Sequence, residues 1–190
     1  MRQSESQLFV MNGALDGSHC ELVRRAMDAG TPEAAEILEG DFERNEEVRR
    51  ASHIEVDEGT RALLEQHLDA LRPRLTQFFA LPLGEREGLS LLRYLPGGLF
   101  KRHRDWGNVP SWPDAARRRI SVVLFLTTSR DLQQRGTFSG GLLRLFDEEG
   151  QVAHDVYPEA GTLVAFRSTT PHEVLPIIDG VRDTVVDWFY

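Results

Sequence analysis

Residues 94–105 read Tyr-Leu-Pro-Gly-Gly-Leu-Phe-Lys-Arg-His-Arg-Asp, and this stretch says more about the fold than any other part of the chain. Pro96-Gly97-Gly98 separates two short apolar segments, a pattern typical of two strands joined by a turn. The second segment ends in His103-Arg104-Asp105. Side chains two residues apart on an extended strand point to the same side, so this histidine and aspartate can offer ligands to one metal. Two histidines and one carboxylate are the protein ligands of non-haem Fe(II) centres that leave one face of the metal open.

Further strand signals follow this stretch, separated by Gly, Pro and Asp turns. Eight short strands at this spacing are typical of a sandwich or jelly roll. That architecture places His103 and Asp105 near the end of one strand. It can bring His172, on a strand distant in sequence, to the same open end of the jelly roll. The predicted strands are Leu89–Tyr94, Leu99–His103, Ile120–Thr127, Leu142–Phe146, Val152–Val156, Thr162–Phe166, Glu173–Pro176 and Thr184–Phe189.

In the part of the chain before the predicted strands, apolar residues recur at helical spacing. One helix is predicted to begin at a capping box over Ser18–Glu21, and a second runs from about Glu58 to Phe79. The polar segment Gly40–Ser52 between them is predicted to be a mobile loop. We therefore expect an α+β, mainly β fold: a double-stranded β-helix (jelly roll) with N-terminal helices packed on one sheet. Residues 1–190 are expected to form one domain, with a helical part over 1–88 and a β-helix core over 89–190.

Composition narrows the classes of protein that the chain can belong to. A net charge of −8 argues against a general nucleic-acid binder, which needs a basic face. No stretch approaches the roughly 20 apolar residues that span a bilayer, and nothing resembles a secretory signal. The single cysteine, Cys20, excludes an internal disulfide framework and suits a reducing compartment. We therefore expect a cytoplasmic protein that acts on neither nucleic acids nor membranes.

A set of motifs follows in fixed order along the second half of the chain. The motifs are Tyr94-x-Pro96-Gly97-Gly98, His103-x-Asp105, Leu124-Phe125-Leu126, Ser139-Gly140-Gly141, Gly161-Thr162-Leu163-Val164-Ala165-Phe166, Pro171-His172-Glu173-Val174-x-Pro176, Arg182 and Trp188. With these motifs the chain resembles the prolyl 4-hydroxylase branch of the 2-oxoglutarate- and Fe(II)-dependent oxygenases, and most of all the prolyl hydroxylases that act on hypoxia-inducible factor and their bacterial relatives. The close match covers about residues 89–190.

The resemblance implies Fe(II) as the metal, with His103, Asp105 and His172 as its ligands. It also implies 2-oxoglutarate and O2 as cosubstrates, with ascorbate as a candidate reductant. Arg182 is implied to pair with the far carboxylate of 2-oxoglutarate, a role that suits a permanently charged, two-pronged guanidinium. Tyr94 is implied to donate a hydrogen bond near the cosubstrate. Because Asp105 is present, hydroxylation is favoured over halogenation, for which related enzymes have a small residue at that position.

Two positions, Phe125 and Val186, depart from the pattern of the family. Phe125 stands where related hydroxylases commonly have a tyrosine that touches the distal carboxylate, and a lost hydroxyl costs about 1 kcal/mol of binding unless another donor replaces it. Val186 stands where some relatives have a threonine facing the cosubstrate. Gly140-Gly141 indicates a bulge or a close approach of strands rather than a phosphate site, because no helix follows it.

The substrate that the resemblance implies is a prolyl residue in a peptide or protein. Trp106, Arg118, Arg119 and Trp188 are expected near the pocket mouth, with the Gly40–Ser52 loop closing over the substrate. Two alternatives stay open. One is a hydroxylase of a free amino acid or a small biosynthetic intermediate, and the other is a non-catalytic β-helix binding module, which the intact metal positions disfavour. The sequence predicts neither the carbon that is hydroxylated nor the oligomeric state.

Overall fold

A computed structural model describes residues 7–35, 47–110, 112–131 and 136–190. These ranges contain two α-helices, α1 (Gly17–Ala29) and α2 (Glu58–Phe79), and a short 3-10 helix over Pro113–Arg117. The strands are β1 (Phe9–Met11), β2 (Pro32–Ala34), β3 (Arg49–Arg50), β4 (Ser52–Ile54), β5 (Ser90–Tyr94), β6 (Leu99–His103), β7 (Ile120–Phe125), β8 (Phe138–Gly140), β9 (Leu143–Phe146), β10 (Val152–Val156), β11 (Leu163–Arg167), β12 (His172–Val174), β13 (Ile177–Gly180) and β14 (Arg182–Phe189).

The strands form two main sheets. A seven-stranded sheet has the order β1-β11-β7-β14-β5-β4-β2, and a five-stranded sheet has the order β10-β9-β12-β6-β3. A two-stranded sheet, β13-β8, accompanies them. Neighbouring strands are antiparallel throughout the described sheets. This is the mainly β, jelly-roll arrangement that the strand pattern predicted.

Two apolar clusters lie on opposite faces of the seven-stranded sheet. All six residues of β7 are buried because both faces of this strand are covered. Val122 and Leu124 belong to the cluster that α1 and α2 cover, whereas Val123 and Phe125 belong to the cluster shared with the five-stranded sheet. Alternation along one strand thus separates a helix-packed core from the interior of the jelly roll. The helices pack on one sheet, as predicted.

The second helix has the predicted bounds, but the first begins differently from the prediction. Asp57 caps α2 by accepting a hydrogen bond of 2.9 Å from the Thr60 backbone N–H. In α1 the cap is Asp16 rather than Ser18, and its carboxylate accepts from the His19 backbone N–H at 2.9 Å. The same carboxylate accepts the Ser18 hydroxyl at 2.6 Å, so that hydroxyl is already used. In the described ranges, neither helix is long and apolar enough to cross a membrane.

The predicted loop over Gly40–Ser52 is wrong in its last residues, which form strands. Arg49 and Arg50 pair with Phe100 and Leu99 of the five-stranded sheet, and Ser52 pairs with Arg93 of the seven-stranded sheet. Residues 40–46 of that prediction lie outside the described residues. The N-terminal part is therefore not only helical, because β1, β2 and β4 extend the seven-stranded sheet and β3 extends the five-stranded sheet. Such two- and three-residue strands carry no periodic signal, since pairing with distant residues creates them.

Gly140 and Gly141 lie where strands approach each other closely, as the sequence predicted. Both have positive φ, 74° and 64°, which an L side chain rarely adopts. A Cβ on Gly140 would lie 2.4 Å from the Pro176 carbonyl oxygen. A Cβ on Gly141 would lie 3.0 Å from Cδ of Arg182, so this glycine leaves room for the arginine stem.

Candidate metal and cosubstrate site

His103, Asp105 and His172 meet at one end of the five-stranded sheet. The two histidines are direct cross-strand partners of β6 and β12, with ring centroids 4.2 Å apart. Asp105 lies two residues past the end of β6, with Oδ1 3.5 Å from His103 Nε2 and Oδ2 3.6 Å from His172 Nε2. In the described ranges these three are the only His, Cys, Asp or Glu side chains grouped closely enough to hold a metal, with ligand atoms within 4.8 Å of one another.

Backbone carbonyls fix both imidazole rings in the orientation that a metal needs. Nδ1 of His103 donates to the carbonyl oxygen of Lys101 at 2.8 Å, and Nδ1 of His172 donates to that of Thr170 at 2.9 Å. Because a carbonyl can only accept, the proton sits on Nδ1 in each ring and the Nε2 lone pair faces Asp105. A ligand histidine commonly has its other ring nitrogen bonded in this way.

Aromatic rings further restrict the two histidines. The ring of His103 stacks on Phe100 at 3.4 Å with an interplanar angle of 17°. The ring of His172 meets Phe166 edge-on, with centroids 4.7 Å apart. Rings packed in this way lose little further freedom when a metal binds. The Nε2 atoms of His103 and His172 are therefore already positioned for a metal.

Asp105 is held by a network that the sequence did not reveal. The Ser121 hydroxyl donates to Oδ2 of Asp105 at 2.6 Å and lies 3.0 Å from the Ser168 hydroxyl. The Asp105 backbone N–H donates to the Ser168 carbonyl oxygen at 3.1 Å. The available signal was one polar residue, Ser121, in the apolar run Ile-Ser-Val-Val-Leu-Phe, at a position that alternation turns toward the interior.

The protonation states suit a metal. Burial would raise the pKa of Asp105, but His172, His103 and the Ser121 hydroxyl together hold this pKa well below its usual range. Burial, helped by His103, lowers the pKa of His172 to about 4. At neutral pH the group therefore offers a carboxylate and a neutral imidazole, the forms that bind a metal.

A cavity of about 790 Å³ opens beside this group and extends between the two main sheets. The register of β14 decides which side chains face it. Arg182 pairs with Tyr94 on β5, and Thr184 pairs with Phe125 on β7. Paired residues point to the same face of a sheet, so these four side chains share the interior face. Arg182, Tyr94 and Thr184 line the cavity.

Arg182 is the most unusual group in the cavity. Its side chain is buried, with 1% of the residue exposed, and Nε has no hydrogen-bond partner in the described structure. The guanidinium carbon lies 5.0 Å from the ring centre of Tyr94 and 5.5 Å from that of Phe125. Within the described ranges, no carboxylate forms an ion pair with Arg182. Burial accordingly lowers the pKa of this guanidinium.

An unpaired buried cation is costly, and a bound carboxylate would offset that cost. Thr184 adds a second polar group on the same wall, because its buried Oγ1 also lacks a partner. Sequence reasoning did not single out Thr184, although its offset of two residues from Arg182 on one strand places both on the same face. Phe125 is fully buried beside Arg182, but it is not among the described residues that line the cavity. Val186 also lines the cavity.

Arg118 was expected to contact the substrate, but its guanidinium is already bonded to other groups of the protein. Nε and NH2 donate to the Glu87 carboxylate at 2.5 Å each, and NH1 donates to the Asp105 carbonyl oxygen at 3.1 Å. The guanidinium carbon also lies 3.8 Å from the ring centre of Trp188. Arg118 lines the cavity, but every one of its polar branches is engaged. It supports the wall and the segment that carries Asp105.

The other expected substrate residues divide into two groups. Trp188 and Trp106 line the cavity, and the Trp106 indole donates to the Ala116 carbonyl oxygen at 3.1 Å while 44% of the residue stays exposed. Arg119 does not line the cavity, contrary to expectation. It is exposed and borders a second depression that shares Trp106 and Arg118 with the first. Neighbouring residues of an extended segment point in opposite directions, which is why Arg118 and Arg119 separate.

This geometry agrees with the comparison to known proteins. The sequence profile of the 2OG-Fe(II) oxygenase superfamily matches residues 89–190. The chain belongs to this superfamily. The members of that family use Fe(II) and 2-oxoglutarate, and the His-Asp-His group beside an unpaired buried arginine provides the donors that both would need.

Curated relatives in the superfamily include several PKHD-type hydroxylases. The one from Methylobacterium nodulans is 34% identical over 164 residues, which cover 82% of this chain and 68% of the relative. One from a Synechococcus strain is 30% identical over 95 residues, which cover 50% of this chain and 39% of the relative. The chain thus spans well under half the length of that relative.

Solved structures place the chain among oxygenases with the same fold. A prolyl-4-hydroxylase from Pseudomonas putida aligns with a TM-score of 0.74 and 28% identity, over 97% of this chain and 92% of that one. A prolyl hydroxylase from Trichoplax adhaerens, in complex with a peptide fragment of the hypoxia-inducible factor oxygen degradation domain, aligns with a TM-score of 0.77 over 98% of this chain and 84% of that one. At 20% identity the latter likeness shows the fold alone. Together these matches confirm the predicted jelly roll and the predicted branch of the superfamily.

Proposed function

We propose that this chain is a hydroxylase that depends on Fe(II), 2-oxoglutarate and O2. The observation that carries the proposal is the pairing of two features on one cavity. One is the His103, Asp105 and His172 group, whose free ligand atoms converge, and the other is the buried, unpaired guanidinium of Arg182. A metal-binding group alone would suit many functions. A dicarboxylate cosubstrate explains why a cation without a counter-ion faces the same cavity.

In this proposal some residues hold the metal and others orient its ligands. When bound, Fe(II) and 2-oxoglutarate supply the oxidation, in which one atom of O2 enters succinate and the other enters the substrate as hydroxyl. Nε2 of His103, Nε2 of His172 and a carboxylate oxygen of Asp105 would hold the metal by three side chains and leave its remaining positions open. Ser121 and the backbone carbonyls of Lys101 and Thr170 orient those ligands.

Arg182 would bind the distal carboxylate of 2-oxoglutarate, with Tyr94 beside it. The unpaired Thr184 hydroxyl is suitably placed to donate the hydrogen bond that Phe125 cannot. The apolar ring of Phe125 and the side chain of Val186 would exclude water from that end of the cavity, which strengthens the ion pair. Val48 and Arg49 of the N-terminal part line the same cavity as the ligands from 89–190, and we propose that residues 1–190 act as one domain.

For the substrate we propose a prolyl residue in a peptide or protein. The similarity to prolyl hydroxylases over nearly the whole chain supports this choice. Trp106 and Trp188 on the cavity wall offer flat apolar surfaces of the kind on which a pyrrolidine ring packs. The main alternative is a free amino acid or a small intermediate, which the cavity volume of about 790 Å³ would also accept.

The test is a turnover assay with a matched pair of substrate classes. The purified chain is given Fe(II), 2-oxoglutarate, ascorbate and O2 with either proline-containing peptides or free amino acids. The proposal predicts stoichiometric succinate release and a mass gain of one oxygen on a peptide proline. Gain only on free amino acids would support the small-molecule alternative. Metal binding with neither succinate nor product for any substrate would support a binding module.

A further inference from the structure

The cavity differs sharply in charge from the protein as a whole. The chain has 30 acidic and 22 basic residues and a net charge of −8. Among the described residues that line the cavity, only Asp105 is acidic, whereas six are basic: Arg49, Lys101, Arg102, Arg104, Arg118 and Arg182. An acidic protein therefore concentrates positive charge at its one candidate site.

Two of these six have roles already described. Arg182 lies deep in the cavity, facing the proposed cosubstrate end, and Arg118 is neutralised by Glu87. The remaining four come from β3, from β6 and from the residue after β6, next to the proposed metal ligands. We call the three from β6 and the residue after it, Lys101, Arg102 and Arg104, the basic rim. Lys101, Arg102 and Arg104 are exposed.

Contacts within the protein position the rim without neutralising it. The Arg102 guanidinium carbon lies 3.9 Å from the ring centre of Phe146, and its NH1 donates to the Gly150 carbonyl oxygen at 3.5 Å. Nε of Arg104 donates to the Thr169 carbonyl oxygen at 2.8 Å. In the ranges that the structure describes, no carboxylate forms an ion pair with Lys101, Arg102 or Arg104. These partners are neutral, so the positive charge is available to a ligand.

Clustered like charges repel one another, and a cleft of one sign attracts ligands of the other. We propose that the basic rim binds acidic side chains that flank the target residue of a peptide substrate. The proposal rests on the proposed hydroxylase function and specifies its substrate. A peptide fits better than a small anion because the rim is extended. The rim runs over the four residues from Lys101 to Arg104 beside the cavity, so an extended chain can contact it at more than one point.

The experiment uses three labelled peptides of equal length with one central proline, flanked by glutamates, by glutamines or by lysines. Binding to the full chain with Mn(II) and 2-oxoglutarate, without O2, is followed by fluorescence anisotropy. We expect the glutamate peptide to bind at least tenfold more tightly than the glutamine peptide and the lysine peptide to bind most weakly. Raising the ionic strength should shrink the difference, because exposed charges are screened.

Charge changes in the protein complete the test. Arg102→Gln and Arg104→Gln should each reduce the advantage of the glutamate peptide at least threefold while leaving the affinity for 2-oxoglutarate unchanged. The matched control is Arg25→Glu on α1, whose side chain is 78% exposed and which lies outside the cavity lining. This control should not change the preference.

Equal binding of the glutamate and glutamine peptides, or no binding of any peptide, would overturn the rim proposal. Turnover with Fe(II) and O2 separates it from the proposed function. If peptides are hydroxylated without regard to charge, the hydroxylase stands and the rim proposal fails. If the glutamate peptide binds selectively but no peptide is hydroxylated, the rim proposal stands and prolyl hydroxylation fails.

Discussion

The Ser121 hydroxyl donates a hydrogen bond of 2.6 Å to Oδ2 of Asp105. This bond joins β7, an inner strand of the seven-stranded sheet, to the segment after β6 that belongs to the other sheet. It ties the proposed carboxylate ligand to the apolar core, while the two proposed histidine ligands are oriented by backbone carbonyls. The ligand group is therefore anchored to both main sheets.

Ser121→Ala should weaken metal binding because Asp105 then loses the donor that sets its orientation. Loss of a hydrogen bond that orients a metal ligand typically costs about 10–100-fold in metal affinity or activity. Titration with Mn(II) measures the affinity directly. Ser139→Ala on β8, outside the cavity lining, is the matched control and should bind Mn(II) as the wild type does. Wild-type affinity in Ser121→Ala would show that this bond does not position the ligand.

Arg182→Lys should raise the KM for 2-oxoglutarate more than the KM for the prime substrate, because lysine keeps the charge but loses the two-pronged geometry. Thermal stability gives an independent readout. In the wild type, 2-oxoglutarate at 100 times its Kd should stabilise the fold by about 2.7 kcal/mol. The variant should gain less at the same concentration. An unchanged cosubstrate dependence would remove Arg182 from the site.

Phe125→Tyr tests the position at which the family resemblance leads us to expect a tyrosine. The ring is fully buried, and its centre lies 5.5 Å from the Arg182 guanidinium carbon. If the new hydroxyl reaches the distal carboxylate, 2-oxoglutarate should bind up to about tenfold more tightly, which corresponds to about 1.4 kcal/mol. If it instead meets only core atoms, the melting temperature should fall, because an unpaired buried hydroxyl costs roughly 1–3 kcal/mol. A destabilised variant with unaltered affinity would contradict the pocket assignment.

Glu87→Gln tests whether Arg118 supports the site rather than contacting substrate. The two side chains are 11% and 2% exposed, and breaking a buried pair by removing one charge typically costs about 3–5 kcal/mol. We expect a large fall in melting temperature. The control is Glu85→Gln, whose partner Arg117 is half exposed, because a surface pair contributes about 0–1 kcal/mol. An unchanged melting temperature together with a raised KM for substrate would favour a substrate role for Arg118.

The sequence predicted those features that depend on local pattern. The strand predicted over Ile120–Thr127 is found as Ile120–Phe125, and the helix predicted from about Glu58 to Phe79 has those bounds. The family resemblance that the ordered motifs carry implied a shared site for His103, Asp105, His172 and Arg182, and all four line one cavity. Each of these follows from periodicity or from a motif of fixed spacing.

What the sequence did not predict depends on contacts between distant residues. β3 exists because Arg49 pairs with Phe100, 51 positions later in the chain, and the residues around Arg49 carry no strand pattern of their own. Ser121 meets Asp105 only because two sheets pack together. From the sequence, Arg118 was expected near the pocket mouth as a substrate residue. The structure shows that Glu87, 31 positions earlier in the chain, neutralises its charge.

His103, Asp105 and His172 are proposed to hold Fe(II) together with 2-oxoglutarate. The most direct measurement is an anaerobic titration of the protein with Fe(II) in the presence of 2-oxoglutarate, following the visible charge-transfer absorption of the Fe(II)–2-oxo acid chelate. We expect saturation at one equivalent for the wild type and for His19→Ala, and loss of the band in His103→Ala, Asp105→Ala and His172→Ala with unchanged far-UV circular dichroism. A band of wild-type intensity and stoichiometry in the folded His172→Ala protein would contradict the proposal.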